Sequence, residues 1–228
     1  MTDIAARWKA VQARVEEACQ RAGRSVGSVE VVAVSKLQPL EALRAAYAAG
    51  ARAFGENYAQ ELRDKSAALA DLPGIRWHAI GPLQTNKARY VARSAHVFHA
   101  LDRSEVALEL SRRRTGPPLR VYIEVNVAAE QTKSGIAPAA LPVLIDTVRS
   151  LPGLELVGLM AMPPLTADPE EARPHFRTLA NLAQAHGLAG LSMGSTQDYA
   201  VAIAEGATVV RVGTAIFGER PVETPTAP

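Results

Sequence analysis

The sequence predicts an α/β fold, a TIM-type (β/α)8 barrel with an extra N-terminal helix, and three observations lead there. A short apolar, β-branched run, then a few polar or glycine residues, then a helical pattern forms a unit that recurs along most of the chain. Such alternation implies parallel strands joined by right-handed crossovers. The unit occurs eight times, which favours closure into a barrel over an open sheet. The chain length of 228 residues also suits one barrel. A doubly wound open sheet is the alternative, and the lack of a GxGxxG after the first strand weakens it. Residues 1–220 are therefore expected to form one domain. The segment 221–228 follows Arg220 with three prolines and no periodicity, so a disordered tail is expected there.

The opening segment departs from the unit. Ile4, Trp8, Val11, Val15 and Cys19 fall on one helical face, and Gly23 stands where a C-terminal cap is wanted. The first strand is expected over Val29–Lys36, nearly continuously apolar as a strand covered on both faces should be. Pro39 opens a helix ended by Gly50. Strands follow at Ala53–Gly55, Arg76–Gly81 and His96–Leu101, with helices running to Leu72, from Gln84, and from a cap at Asp102. Arg120–Val127 is the clearest strand, supported by Tyr122 and Ile123, and a helix begins after Pro138. Leu154–Met162, Gly190–Gly194 and Thr208–Val212 complete the eight, separated by helices over Asp168–Gly187 and through Glu205.

Composition excludes several classes. A formal net charge of +2, with both signs interspersed, offers no electrostatic case for nucleic acid or membrane binding. No stretch is long and apolar enough to span a bilayer, and the N-terminus lacks the unbroken apolar core of a signal peptide. The single cysteine, Cys19, cannot form an internal disulfide and is expected as an inert buried thiol, which fits a cytoplasmic protein. His96, His99, His175 and His186 show no metal-ligand spacing, so no metal is expected.

In a barrel of this kind, polar groups at the C-terminal strand ends converge on one mouth. Those ends are Lys36, Asn57, His78, Asp102, Asn126, Met160, Ser192 and Arg211. Lys36 would enter a confined space with apolar walls, where desolvation favours the neutral amine that attacks an aldehyde. The competing reading is a lysine snorkelling to solvent. Two loops rich in donors, LSMGST at 191–196 and Gly213–Thr214 at a helix start, suit a phosphate, although each could be a plain tight connection. Arg211, in an apolar strand, needs a partner. That partner is either a barrel acid such as Glu124 or a ligand ring nitrogen. His78 is either a base or a structural histidine, and Lys87 is solvated or touches phosphate or a partner.

Several spaced motifs then occur together: AVSK at 33–36, FGENY at 54–58, WHAIGPLQTNK at 77–87, GLMAM at 158–162, LSMG at 191–194 and VRVGTAIFG at 210–218. In this order they resemble the pyridoxal-phosphate homeostasis proteins, stand-alone relatives of the barrel domain of alanine racemase, over about Val29 to Gly218. The resemblance implies pyridoxal 5'-phosphate held as a Schiff base on Lys36, with Arg211 facing the pyridine nitrogen. It further implies Ser192, Gly194, Gly213 and Thr214 around the phosphate and Asn57 on the cofactor face; His78 and Met160 join the set as mouth residues. The family usually continues LSMG with Met-Ser, where this chain has Ser195-Thr196, so Thr196 is expected to supply the phosphate hydroxyl with altered packing. Alanine racemase takes a tyrosine base from a second domain of a partner subunit. No such domain follows the barrel here, so a monomeric carrier or buffer of the cofactor is expected, without strong catalysis. Apo-enzymes dependent on pyridoxal phosphate would be its acceptors. The alternatives are a weak amino-acid racemase pairing Lys36 with His78 or Tyr58, and a sugar-phosphate enzyme using Lys36 as aldolases do.

Overall fold

The computed structural model describes residues 3–128, 134–164 and 166–219. Eight parallel strands close into one barrel in sequence order: β1 (Glu30–Val34), β2 (Ala53–Glu56), β3 (Arg76–Ala79), β4 (Val97–Leu101), β5 (Leu119–Glu124), β6 (Leu154–Met160), β7 (Gly190–Ser195) and β8 (Val209–Val212). Closure is made by β8 against β1, where Val32 lies opposite Arg211 and Ala33 opposite Val212. The open-sheet alternative is thereby excluded. Val32, Phe54, Phe98, Val121, Ile123 and Val210 are fully buried, as strands covered on both faces require.

The helices that follow the strands are α2 (Leu40–Ala48), α3 (Ala59–Ala68), α4 (Ala88–Ser94), α5 (Ser104–Arg113), α6 (Leu141–Ser150), α7 (Arg173–Ala185), α8 (Tyr199–Ala204) and the single turn α9 (Thr214–Phe217); α1 (Ile4–Arg21) precedes them. The expected face of α1 is buried through Trp8, Val11, Val15 and Cys19, and packs against α2, α8 and α9. Gly23, just past the helix, has φ +66° and donates its N–H to the Gln20 carbonyl, the backbone geometry that glycine adopts without steric cost. In α6 the buried stripe is Leu141, Leu144, Ile145 and Val148, at the helical spacing read from the sequence.

Two glycines shape the barrel interior. A Cβ on Gly158 would lie 2.0 Å from the Gly190 carbonyl oxygen, and one on Gly190 would lie 2.9 Å from the Tyr122 ring. Bare backbone there makes room for Tyr122, whose ring stacks on His99 at 4.8 Å and 19°.

Several boundaries differ from expectation. β1 stops at Val34, so Ser35 and Lys36 belong to the turn above it. Asp102 does not cap α5: Arg103 holds that position, and the Asp102 carboxylate accepts instead from the Arg103 guanidinium at 2.6 Å. The helix expected from Asp168 begins as a short 3-10 turn, Pro169–Ala172, with Asp168 accepting from the Glu170 N–H, and only then becomes α7. The tail 221–228 lies outside the described residues.

Candidate functional site

The turn carrying Lys36 is fixed from both sides. Ser35 is fully buried; its N–H continues the ladder to the Gly55 carbonyl at 2.9 Å, and its hydroxyl donates to Glu56 Oε1 at 2.6 Å. On the other side the Leu37 N–H donates to Glu61 Oε1 at 2.7 Å. Leu37 has φ +61°, a left-handed conformation that costs a side-chain-bearing residue about 1–2 kcal/mol. One ammonium connects these anchors. Lys65 Nζ donates to the Ser35 carbonyl at 2.6 Å and Glu56 Oε1 at 2.9 Å, and pairs with Glu61 Oε1 at 2.7 Å. Its three donors are thus all engaged. Burial pushes the Glu56 carboxyl up to about 7, against the pull of Lys65 and the Ser35 hydroxyl, and its Oε2 is buried without a hydrogen bond.

Sequence reasoning missed Glu56, Glu61 and Lys65. The available signals were an acid ending the fully buried strand β2 and a Glu61–Lys65 pair at helical i,i+4 spacing.

Arg211 lies in β8 with only 6% of its surface exposed. It donates through Nη1 to Ser192 Oγ at 2.5 Å and through Nη2 to the Ala161 carbonyl at 3.1 Å. Ser192 Oγ is also 2.7 Å from His99 Nδ1, and His99 Nε2 is 2.9 Å from His78 Nδ1. Burial lowers the Arg211 pKa to about 10, opposed by the charges of Glu124 and Asp198, so the guanidinium stays charged at neutral pH. Its direct partners are therefore Ser192 and Ala161, and Glu124 acts on it as a neighbouring charge.

Glu124 ends β5, and burial pushes its carboxyl up to about 7 despite the attraction of Arg211. A folded pKa above the unfolded value of 4.5 contributes stability that is fully present below pH 4.5 and is lost as pH rises through 7. Glu124→Gln should therefore raise stability at pH 8 by about 2 kcal/mol and leave it little changed at pH 4.5. Urea denaturation at the two pH values checks this; a variant less stable than the parent at pH 8 would refute it.

The loops after β7 and β8 meet. The Gly213 N–H lies 3.4 Å from Thr196 Oγ1, and Gly213 is the N-cap of α9. The first amides of a helix have no partner inside it and suit an anion. Ser195 turns away from this junction, its N–H and hydroxyl both donating to Asp198 Oδ1 at 2.6 and 3.0 Å. Gly194 has φ +92°, and a Cβ there would stand 2.7 Å from Ala202 Cβ and 2.9 Å from Tyr199 Cα. Gly194→Ala should thus cost about 2–4 kcal/mol by combining backbone strain with a clash. Thermal unfolding would report this as a lowered Tm, and an unchanged Tm would contradict it.

The structure gathers most of the expected residues. Met160 and Ser192 are in register on β6 and β7, and Glu124 is in register with Met160. Gly194 lies near the end of β7 with Thr196 just beyond it, and Gly213 and Thr214 are the N-cap and first residue of α9, at the junction where the two connections touch. Lys36 follows Val34 by two residues, and a Cβ on Gly213 would contact Val34 at 3.4 Å, so the lysine turn flanks the same loops. Asn57 follows β2 on the other side, packed so closely beneath Gly81 that a Cβ there would lie 2.5 Å from the Asn57 carbonyl oxygen. His78 is the exception. It is buried inside the barrel, with Nε2 3.8 Å from Glu30 at the start of β1, and among the described residues it connects upward only through His99. Desolvation lowers its pKa to about 4. Among the described residues no cluster of histidine, cysteine, aspartate or glutamate is placed to hold a metal, and no helix is long and apolar enough to cross a membrane.

Comparison with known proteins agrees with the barrel fold. Residues 7–221 match the family model for the alanine racemase N-terminal domain. The pyridoxal phosphate homeostasis protein of Pseudomonas aeruginosa is 48% identical over 99% of both chains. Its namesake in Aquifex aeolicus is 42% identical over 91% of this chain and 94% of its own. Among solved structures, PipY of Synechococcus elongatus with PLP bound superposes with a TM-score of 0.81 at 35% identity, covering 94% of this chain and 100% of PipY. Alanine racemase from Corynebacterium glutamicum shares the fold at a TM-score of 0.65 and 19% identity. The chain belongs to the pyridoxal phosphate homeostasis protein family, built on the alanine racemase N-terminal barrel.

Proposed function

We propose that this protein binds pyridoxal 5'-phosphate at the barrel mouth as a Schiff base on Lys36, and that it holds and releases the cofactor in vitamin B6 and amino-acid balance. The observation that carries the reading is the placement of a rigidly held lysine turn beside two touching, donor-rich loops. Gly194, Thr196, Gly213 and Thr214 would receive the phosphate, Asn57 and Met160 would line the ring, and Arg211 would face the pyridine nitrogen. Ser192 and His78 take part from beneath, through Arg211, rather than by touching the ligand. The relatives' names and the PLP held by PipY support the same reading.

The bound cofactor supplies an aldehyde and an electron-withdrawing ring. Arg211 limits the second property, because a permanent cation opposite the ring nitrogen keeps that nitrogen unprotonated. A racemase would also need a second base across from Lys36. His78 cannot serve, being enclosed in the barrel behind His99, and Tyr58 stands on the rim with 56% of its surface exposed. Carriage without strong turnover follows, in a cytoplasmic monomer of one unit over residues 1–220 that passes the cofactor to apo-enzymes.

Titration of the purified protein with pyridoxal phosphate tests the reading, combined with assays on alanine and serine. Saturable appearance of a visible absorption band, without racemisation, is expected. A colourless protein that cleaves sugar phosphates would overturn it in favour of an aldolase-type barrel, and steady racemisation lost in Lys36→Ala would establish the enzyme reading.

A further inference from the structure

The direction of every proton between Arg211 and the barrel base can be assigned from donor chemistry. Arginine only donates, so Ser192 Oγ accepts in the 2.5 Å contact. Among the hydrogen bonds of the described residues, the Ser192 hydroxyl has one remaining partner, His99 Nδ1 at 2.7 Å. Donation there requires that Nδ1 be the bare nitrogen, which puts the His99 proton on Nε2. That N–H faces His78 Nδ1 at 2.9 Å, so His78 Nδ1 is also bare and its proton lies on Nε2. The His78 Nε2 is buried without a hydrogen bond, and Glu30 Oε2 stands 3.8 Å beyond it.

The four groups form one file in which each member donates away from the mouth. A second proton on either histidine would set N–H against N–H or remove the acceptor for Ser192. Burial holds both rings neutral, with His99 well below the ordinary imidazole value. Stacking on Tyr122 at 4.8 Å fixes the His99 plane.

We propose that His99 and His78 are positioning residues for Arg211, orienting its guanidinium toward the bound ring through Ser192. The inference rests on the reading that Arg211 faces the cofactor, and its tests separate the two. Nitrogen-resolved NMR of the histidine side chains in the full-length protein without cofactor should show His99 and His78 as Nε2–H tautomers from pH 6 to 8. A proton on Nδ1 of either ring would overturn the relay, whatever the protein binds.

With pyridoxal phosphate as the probe, His99→Phe keeps an aromatic ring but removes the acceptor. It should weaken retention about tenfold and shift the visible absorption maximum, while His99→Gln, which offers an amide oxygen to Ser192, should recover part of both. In an Arg211→Met background, His99→Phe should add almost nothing, because the residue it acts through is gone. Additive losses in that cycle would refute the positioning role even if cofactor binding itself is confirmed. If His99→Phe does not fold, the tautomer measurement decides alone.

Discussion

Lys36→Ala is expected to abolish covalent attachment of pyridoxal phosphate and to weaken its total binding by about 100-fold, roughly 2.7 kcal/mol, while the barrel stays folded. The loss follows from chemistry: Lys36 supplies the amine of the turn flanking the two donor loops, and the Lys65 ammonium at the same turn is engaged by Ser35, Glu56 and Glu61. Survival of the fold follows from geometry. Ser35 and Leu37, on either side of Lys36, are held through the Ser35 hydroxyl and carbonyl and the Leu37 N–H, and these bonds stay in place when the Lys36 side chain is shortened. Spectrophotometric titration beside a thermal melt separates the effects. Intact binding with an unchanged spectrum would place the attachment elsewhere, and a collapsed melt would show that Lys36 acts structurally.

The second large effect concerns Lys65. In Lys65→Met the buried Glu56 and the neighbouring Glu61 lose their shared cation, and the Ser35 carbonyl loses its donor. Removing one partner of a buried ion pair typically costs about 3–5 kcal/mol, because a charge is left uncompensated. The cost should depend on pH. The Glu56 carboxyl stands at about 7 with Lys65 present, raised above the ordinary 4.5, so its contribution is present at low pH and lost as pH rises through 7. Without Lys65 the ionised form is worse still. The destabilisation should therefore be full at pH 8 and clearly smaller near pH 5, where Glu56 can take up a proton. Urea denaturation at both values tests this, and an equal loss at both would contradict the assignment of the cluster. Cofactor uptake should also slow in this variant, since Leu37 depends on the same cluster to hold its left-handed turn.

Much of the fold was legible because parallel strands buried on both faces appear as unbroken β-branched runs. Glu30–Val34 and Val209–Val212 were located within a residue or two for that reason. Lys36 and Gly213 stood out because each follows the C-terminal end of such a run, and Arg211 because it interrupts one. What stayed hidden depends on how strands are staggered in the closed barrel. His78 lies near the end of its own strand, yet it is in register with Val97, the first residue of β4, and so sits below the mouth. The Lys65 cluster was invisible for another reason. It exists only because α3 folds back under the β1 turn, and nothing in the sequence sets a distance between Lys65 and Ser35, thirty residues apart. Asp102 misled through composition: it resembles a cap, but the adjacent Arg103 captures its carboxylate.

The most direct test of the central claim is to reduce the pyridoxal phosphate-loaded protein with borohydride and map the modified peptide by mass spectrometry. A phosphopyridoxyl adduct confined to Lys36 is the predicted result. An adduct on another lysine, or none after saturation with cofactor, would contradict the assignment of the barrel mouth as the site.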